Sequence, residues 1–419
     1  MIKFSFCSHI WKRLRKFGLD YDDFPVILEN VNSLLRNITI DIFKNSKPIS
    51  FIFYVLTVIG SSLYFYVYVF SMVWLVCFNY GRAGNWTAVA VVLSLFSCSI
   101  TSFTKLVFMK INSNDIKEII AKFLQCHAQV IPGTRFANNI RKRLRIVKRR
   151  ATNIWLFGVI NGGIYVIIPF LTTGRHFTTD IYFIYGLVPM FESPNFEIAT
   201  VVNITGIGFG IYTQVTAAAY VLVTVGYIES QMHALSEELQ VVWDDSLNFY
   251  NEIKHNLRDK VNAVDNKRRL MNIFIRVRLR DITKLHIANI NLLHELDKEL
   301  RATLALEFTF IAFSITAELL GGLENTHLQL PYTVLQIFMD CLAGQRLIDA
   351  SNNFEISLYN CKWENFSIKN RKTVLLMLRV SQRTLVLSAG GVAKLGFPCM
   401  MMILRTAYSA YTTLKSTLK

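Results

Sequence analysis

Two long stretches without a charged residue limit what this chain can fold into. One runs from Ile49 to Phe78 and the other from Ile198 to Ile228. An α-helix rises about 1.5 Å per residue, so each stretch can cross the roughly 30 Å of hydrocarbon in a bilayer. The core of a soluble protein rarely needs an apolar helix of that length. The two stretches therefore predict an integral membrane protein.

Five further apolar segments bring the predicted number of membrane-spanning helices to seven, and we number these spans in chain order. The five are Trp86–Leu106, Ile154–Leu171, Thr303–Leu323, Leu328–Leu347 and the less hydrophobic Leu385–Leu404. The composition agrees, because 52% hydrophobic and 18% charged residues are unusual for a soluble chain of 419 residues. No cleavable signal peptide is visible, so the first span is expected to be an uncleaved anchor. The predicted fold class is an all-α membrane protein.

The distribution of Lys and Arg predicts a cytoplasmic N-terminus and an extracellular C-terminus. Residues 1–48, 109–151, 229–302 and 346–384 carry 8, 11, 12 and 7 of the 45 basic residues. The opposite side carries Arg82, Arg175 and the terminal Lys415 and Lys419. Basic residues that flank spans stay in the cytoplasm. Topology and anionic lipid therefore account for the net charge of +16, and no nucleic-acid partner is expected.

The predicted cytoplasmic segments show helical periodicity, which indicates a packed intracellular region. Apolar residues recur along one face of residues 280–302, which predicts that the fifth helix continues below the membrane. Residues 366–384 predict an amphipathic helix that either lies in the lipid interface or contacts another subunit. Residues 3–18 are basic and amphipathic, and they predict an anchor at the membrane surface.

Charged residues inside the predicted spans are candidates for function, because burying a charge in hydrocarbon is costly. Four stand out: Glu307 and Glu318 in the fifth span, Asp340 in the sixth and Lys394 in the seventh. They are consistent either with structural pairing or with a water-filled path.

The seventh predicted span is also rich in small and hydroxyl residues. It is expected to face water or a symmetry mate, or to pack closely through Gly390, Gly391 and Gly396.

No arrangement in the sequence is typical of catalysis. There is no phosphate-binding glycine loop, nucleophile elbow or metal-ligand spacing, and the eight histidines are scattered. The seven cysteines form no CxxC pair. An enzyme, a cofactor, a metal site and a disulfide framework are not expected.

The C-terminal third resembles the insect odorant receptors. The resemblance is carried, in order and spacing, by Cys341–Gly344, Ser351, Leu358–Trp363, Met377–Arg379, Gln382–Gly391 and Leu404–Ser409. In that family the final helix has a small-residue beginning and a Thr-x-Tyr-Ser turn, which here is Thr406–Ser409. Elsewhere the resemblance is one of plan: seven helices, a cytoplasmic N-terminus, a basic first cytoplasmic loop and a long helical second one.

The resemblance implies a ligand-specific subunit that assembles with the shared co-receptor Orco into a heterotetrameric, non-selective cation channel. It implies a small volatile organic ligand, permeant monovalent and divalent cations and surrounding membrane lipid, without a cofactor. The implied location is the plasma membrane of an olfactory neuron dendrite. Residues 1–345 would hold helices one to six and the odorant pocket, and residues 346–419 the cytoplasmic amphipathic helix and the pore-lining seventh helix. The anchor region would also include residues 229–302.

The resemblance also implies the positions of two sites. The family's odorant pocket lies in the outer half of the bundle, which here implies Trp86, Ala90, Tyr165, Pro169, Val201, Thr205, Phe209, Tyr212, Thr316, Tyr332 and Gln336. The family's gate lies in the last turns of the seventh helix, which here implies Ser409, Ala410, Tyr411, Thr412, Thr413 and Leu414. Within that stretch we expect Tyr411 and Leu414 to form the constriction.

Two other seven-helix classes are alternatives. A gustatory receptor-type channel shares fold and orientation, but its usual Thr-Tyr-x5-Gln-Phe signature is absent from the final helix. A G-protein-coupled receptor requires an external N-terminus, which the charge distribution opposes. That class also carries an Asp-Arg-Tyr after helix three and an Asn-Pro-x-x-Tyr in helix seven, and neither is found here.

Overall fold

A computed structural model describes residues 23–254 and 263–417, and most of these residues are helical. The predicted surface anchor at residues 3–18 lies outside the described residues. The helices are α1 Phe24–Arg36, α2 Phe51–Ala83, α3 Trp86–Ile111, α4 Ser113–Ala128, α5 Arg135–Leu171, α6 Asn195–Ile253, α7 Ala263–Gly321, α8 Leu323–Thr326, α9 Leu330–Tyr359, α10 Ile368–Ser381 and α11 Phe397–Thr417. A two-residue antiparallel hairpin, β1 Ser388–Ala389 and β2 Ala393–Lys394, precedes α11.

Five of the described helices are long and apolar enough to cross a membrane: α2, α3, α5, α6 and α7. At the positions of the sixth and seventh spans, α9 packs against α6, and α11 packs against α7 and α9. The outer surface of α5 leaves large apolar side chains exposed, among them Ile167 and Phe170. Such a surface is unfavourable in water and favourable in lipid, which supports a membrane location.

The most buried of the spanning helices is α6, and glycines let α5 approach it closely. A Cβ atom at Gly158 would lie 2.3 Å from Val215 Cγ1, and one at Gly162 would lie 2.4 Å from Ile211 Cδ1. Side chains would not fit at either position without displacing α6. Small residues of this kind are how membrane helices pack tightly without a hydrophobic driving force.

Below the membrane, the helices form the packed region that the periodicity predicted. The fifth spanning helix continues into this region without a break, since α7 is one helix of 59 residues. The core of this region includes the ring of Phe24, which stacks on Tyr227 at 3.9 Å and lies 6.1 Å from Phe123. The short helix α1, which the sequence patterns did not predict, therefore packs against the middle of α6.

Charged and titratable groups are tightly packed in the cytoplasmic region. Arg135 Nη2 lies 2.8 Å from Glu238 Oε2, which also pairs with Arg278 at 3.1 Å. His286 is buried, with its ring 4.4 Å from that of Phe354. Burial disfavours the charged imidazolium and lowers the pKa of His286 to about 4.

The predicted start of the seventh helix was wrong. Residues 385–396 form the hairpin and its flanks, and the helix begins only at Phe397. Gly390 and Gly391 have φ of +64° and +75°, which other residues adopt only with strain, so this segment turns instead of continuing as a helix. Pro398, at the second helical position, favours a helix start there. Lys394 consequently lies exposed in β2 and not inside a spanning helix.

The hairpin is tied to the rest of the cytoplasmic side by hydrogen bonds. The backbone N–H and the hydroxyl of Ser388 donate to Asp297 Oδ1 at 2.6 and 2.9 Å. Gly390 donates its N–H to the Arg301 carbonyl at 2.8 Å. The base of α11 is therefore attached to α7.

The other charged residues predicted inside spans are paired or hydrogen-bonded. Lys105 Nζ lies 2.8 Å from Glu307 Oε1 and 3.3 Å from Asp340 Oδ2, and all three side chains are buried. We call these three residues the ion triad; it joins α3, α7 and α9. Glu318 accepts hydrogen bonds from Ser314 and Thr333. The sequence left structural pairing and a water-filled path open, and these contacts are those of structural pairing.

Candidate functional site

An aromatic cavity, here called the inner cavity, lies within the membrane-spanning bundle. Its walls come from α2, α3, α5, α6, the segment that leads into α9 and the first turn of α9. They are Tyr64, Tyr68, Leu95, Cys98, Ser99, Asn161, Tyr165, Ile207, Ile211, Leu328, Gln329 and Tyr332. The volume of the cavity is about 70 Å³.

The inner cavity is closer to the predicted extracellular ends of its helices than to the cytoplasm. Tyr165 lies six residues before the end of α5, or about 9 Å along the helix. Tyr332 is in the first turn of α9. The position is therefore the outer half of the bundle, where the family resemblance places an odorant pocket.

Two of the tyrosine hydroxyls at the inner cavity are already hydrogen-bonded within the protein. Tyr64 donates to the Ser99 carbonyl at 2.9 Å, and Tyr68 donates to Asn203 Oδ1 at 3.4 Å. These bonds turn the rings so that mainly apolar surface lines the cavity. A neutral, largely apolar molecule fits such a lining better than an ion.

A buried polar network supports one wall of the inner cavity. Gln329 Oε1 accepts from the Ser94 hydroxyl at 3.3 Å, and Glu318 Oε1 accepts from Thr333 at 2.6 Å. One helical turn beyond Tyr332, Gln336 accepts from Thr101 at 3.2 Å and donates to the Cys98 sulfur at 3.8 Å. The network connects the cavity wall to α7 through Glu318.

A second cavity of about 180 Å³, the outer cavity, lies beyond the inner one toward the loop between α5 and α6. Its lining includes Pro169, His176, Tyr182 and Asn203. Ile207 lines both cavities, and the Tyr68–Asn203 hydrogen bond lies between them. The two cavities are therefore adjacent and share part of a wall.

His176 lies exposed in the extracellular loop at the outer cavity, where its Nδ1 is 2.9 Å from Asp180 Oδ2. The Asp180 carboxylate beside it raises the pKa of His176.

A groove of about 1120 Å³ runs between the outer ends of α3, α7 and α11. It is lined by Trp86, Ala90 and Thr316 on one side and by Tyr411 and Leu414 on the other. Thr316 also donates a hydrogen bond to the Ala407 carbonyl at 3.3 Å, which joins α7 to α11.

The outer half of α11 has two different faces. Ile403 and Ala407 are buried against the bundle, and Tyr411 and Leu414 continue that side toward the groove. Arg405, Thr406, Ser409, Thr412 and Thr413 form an exposed, polar face. A polar face on a spanning helix needs water or another protein subunit beside it, because lipid would leave it unsatisfied.

The structure distributes the eleven residues of the implied odorant pocket over several places. Tyr165 and Tyr332 line the inner cavity, Gln336 lies directly behind it, and Pro169 lines the outer cavity. The remaining seven lie elsewhere: Trp86, Ala90 and Thr316 in the groove, Val201 and Thr205 on the exposed side of α6, Phe209 behind Tyr64, and Tyr212 against the end of α1.

The six residues of the implied gate all lie on α11. Ser409, Thr412, Thr413 and Leu414 are exposed, whereas Ala410 and Tyr411 are half-buried. The Tyr411 hydroxyl accepts a hydrogen bond from Lys415 at 2.7 Å. The polar face is therefore formed by Ser409, Thr412 and Thr413, a quarter-turn or more from Tyr411 and Leu414.

Sequence reasoning missed the contribution of α2 to the inner cavity. Tyr64 and Tyr68 are four residues apart in the charge-free stretch Ile49–Phe78, a spacing that places both rings on one face. That signal was available in the sequence. The contribution of Gln329 was not, because it depends on how the segment before α9 folds back over α3.

None of the described residues form a cluster of metal-ligating side chains. The polar groups at the inner cavity are amides, hydroxyls and a thiol. This arrangement can bind a small neutral molecule through apolar contact and a few hydrogen bonds.

Comparison with known proteins identifies the family. Residues 85–408 match the family model described as 7tm Odorant receptor. Odorant receptor 22c of Drosophila melanogaster is 27% identical over 154 residues, which are 35% of this chain and 38% of that protein. Odorant receptor 85c of the same species is 28% identical over 81 residues, 19% of this chain and 21% of that protein. The matched region thus spans well under half of either relative.

Solved structures have a similar fold over nearly the whole length. The insect olfactory receptor OR5 from Machilis hrabei matches with a TM-score of 0.70 at 12% identity, over 92% of this chain and 97% of that one. The structure of that receptor in complex with eugenol matches with a TM-score of 0.68 at 14% identity, over 93% and 97%. The predicted fold class, seven spanning helices with a helical intracellular region, is thereby confirmed. Since the family model covers most of the chain, this protein belongs to the 7tm odorant receptor family and is a receptor, not an enzyme.

Proposed function

We propose that this receptor binds a small volatile molecule in the inner cavity and thereby opens a non-selective cation channel that it forms with the co-receptor Orco in a heterotetramer. The observation that carries the proposal is the inner cavity itself, a space lined by aromatic side chains in the outer half of a seven-helix odorant receptor fold. In the plasma membrane of a sensory neuron, the outer cavity would admit the ligand from the extracellular side.

The size of the inner cavity supports a gating mechanism. A volume of about 70 Å³ is well below the roughly 300–1,000 Å³ that is typical of ligand pockets. A ligand must therefore widen the cavity as it binds. It binds the widened arrangement better than the narrow one, and this difference in affinity shifts the population toward the former.

Contacts between the cavity wall and α11 offer a route for that shift to reach the pore. Gln329 and Tyr332 come shortly before Thr333 at the start of α9, and Thr333 donates to Glu318 on α7. Two residues earlier on α7, Thr316 is bonded to Ala407 on α11. A displacement at the start of α9 can thus change the contact between α7 and the polar-faced helix α11.

The pore is proposed to run along the exposed face of α11. Arg405, Ser409, Thr412 and Thr413 present polar groups that would face a central axis if several subunits surround it. Hydroxyl side chains would then accompany permeating Na⁺, K⁺ and Ca²⁺, and the stretch from Ser409 to Leu414 would contain the constriction. A single chain cannot enclose such an axis, which supports assembly with partner subunits.

Expression in oocytes tests the proposal. The chain is expressed with and without Orco, and membrane current is recorded while a panel of volatiles is applied. The expected result is an inward cation current evoked by at least one volatile only when both subunits are present. A current that needs G-protein signalling, or epitope tags that place the N-terminus outside the cell, would contradict it.

A further inference from the structure

The groove between the outer ends of α3, α7 and α11 is much larger than the inner and outer cavities, and it has no part in the proposed function. Its volume of about 1120 Å³ exceeds the roughly 300–1,000 Å³ that is typical of pockets for small molecules. A single volatile molecule would leave most of this space empty. The groove therefore fits a larger occupant.

The walls of the groove are mainly apolar at depth. On α3 the lining runs from Trp86 at the outer end to Leu93, about 10 Å along the helix. On α7 it runs from the outer end at Gly321 down to Phe313, about 12 Å along the helix. The hydrocarbon of one leaflet is about 15 Å thick, half of the bilayer core. The groove thus has nearly the depth of the outer leaflet, and the ring of Phe313, which is 56% exposed, needs an apolar neighbour there.

The outer rim of the groove carries one acid and one base. Glu324 lies on the α8 side and Lys415 on the α11 side, and both side chains are exposed. The ammonium group of Lys415 donates to the Tyr411 hydroxyl at 2.7 Å, which uses one of its three N–H groups. Trp86, at the outer end of α3, is of a residue type that membrane proteins place at the level of the lipid headgroups. The rim is therefore complementary to a headgroup that carries one negative and one positive charge.

The two sides of α11 suit different neighbours. Ser409, Thr412 and Thr413 form the polar face, which needs water or protein beside it. Tyr411 and Leu414 line the groove instead. A hydrocarbon chain covers the apolar walls on this side without leaving polar groups unpaired. The charges at the rim and the apolar walls below them therefore favour a lipid over a helix of a partner subunit.

We propose that the groove binds one zwitterionic glycerophospholipid of the outer leaflet, such as phosphatidylcholine. One acyl chain lies along α3 and α7, the phosphate accepts a hydrogen bond from Lys415, and the ammonium group pairs with Glu324. The lipid then stands between α11 and the other two helices, beside the hydrogen bond from Thr316 to Ala407 that joins α7 to α11. It thereby supports the position of α11. This inference goes beyond the proposed function and does not rest on it.

Photolabelling locates the lipid without a volatile ligand or a current. The receptor is co-expressed with Orco, purified through a tag on the receptor, and reconstituted in nanodiscs that contain phosphatidylcholine with a diazirine in the middle of one acyl chain. After irradiation, mass spectrometry of proteolytic peptides identifies the labelled residues. We expect label at Leu93 and Phe313 in the groove. We also expect it at Ile167 and Phe170, which are exposed to ordinary membrane lipid on the outer surface of α5.

A change of headgroup distinguishes a bound lipid from ordinary membrane lipid. The experiment is repeated with phosphatidylglycerol that carries the same labelled chain, because this lipid keeps the phosphate but lacks the ammonium group. Labelling in the groove should be roughly threefold weaker than with phosphatidylcholine, the ratio expected of one exposed ion pair. Labelling of α5 should be the same with both lipids.

Three variants at exposed residues assign the headgroup contacts. Glu324→Gln removes the partner of the ammonium group and should make the two lipids label the groove equally. Lys415→Gln removes the partner of the phosphate and should weaken groove labelling by both lipids. Glu192→Gln, at an exposed acid in the loop between α5 and α6, is the matched control and should leave the threefold ratio unchanged.

Three outcomes would overturn the proposal or part of it. Label on α5 without label at Leu93 and Phe313 would mean that another occupant, such as a helix of a partner subunit, fills the groove. Equal labelling of the groove by the two lipids in the wild type would mean that it holds ordinary membrane lipid only. A threefold ratio that survives Glu324→Gln would overturn the assignment of the ammonium group to Glu324.

Discussion

Replacing Lys105 by methionine should destabilise the receptor more than any other single change at a charged residue in its spanning helices. The ammonium group of Lys105 lies 2.8 Å from Glu307 and 3.3 Å from Asp340, and both carboxyl groups are 1% exposed. Lys105→Met would leave these two acids buried next to each other without a cation. Gln214, which donates to Glu307 Oε1 at 2.9 Å, supplies only a neutral hydrogen bond in its place.

The expected cost follows from measurements on other buried ion pairs. Removing one partner of such a pair costs about 3–5 kcal/mol, because the remaining charge is left uncompensated. Whole domains are stable by only about 5–15 kcal/mol, so a loss of this size should be visible in expression and in heat resistance. The triple variant Lys105→Met, Glu307→Gln, Asp340→Asn removes all three charges. It should recover much of the loss, since replacing a whole buried ion cluster is often close to neutral.

The assay is the fraction of fluorescently tagged receptor that remains monodisperse after heating, measured by size-exclusion chromatography, together with biotinylation at the cell surface. Lys110→Met is the matched control, because Lys110 lies on the same helix but is exposed, and its ammonium group donates to the Thr39 hydroxyl and not to a buried carboxylate. Lys110→Met should resemble the wild type, and Lys105→Met should show a lower melting temperature and less surface receptor. The reasoning is refuted if Lys105→Met melts with the wild type, or if the triple variant is no better than the single one.

Three further predictions concern other parts of the molecule. Acidification should destabilise the cytoplasmic region: the unfolded imidazole of His286 takes up a proton near pH 6.5, whereas the folded one does so only near pH 4. The free energy of unfolding is therefore highest above pH 6.5 and falls by up to about 3 kcal/mol toward pH 4. In His286→Leu the melting temperature should change less with pH over this range. Gly162→Ala should push Ile211 into the inner cavity and raise half-effective ligand concentrations roughly tenfold, whereas Gly163→Ala, with open space around its Cβ, should not. Asp297→Ala should release the hairpin before α11, at a cost of about 2 kcal/mol, and an unchanged melting temperature would contradict it.

The sequence was sufficient to predict the spanning helices wherever an apolar run was long and uninterrupted. The continuation of α7 below the membrane also followed from its periodicity. The start of the seventh helix was not predicted, because hydropathy carries no information about the left-handed backbone conformation of Gly390 and Gly391. Gly390, Gly391 and Pro398 indicate a turn before the helix, but the prediction gave more weight to the apolar residues around them.

The ion triad was only half visible in the sequence. Glu307 and Asp340 were recognised as costly in hydrocarbon, but Lys105 was not singled out although it lies within a predicted span. Nothing in a linear pattern shows that three residues on three helices converge. The same limit applies to the inner cavity, where residue type predicted Tyr165 and Tyr332 but the facing wall of α2 depends on helix rotation.

The unbroken length of α7 has a mechanical consequence. Its 59 residues make a rod of about 88 Å that reaches from the cytoplasmic region to the outer end of the bundle. A tilt of about 2° at one end moves the other by about 3 Å over that length. An antibody fragment or a cytosolic protein that clamps the lower end of this rod would therefore resist movements at Glu318 and Thr316, and could set the sensitivity of the receptor from inside the cell.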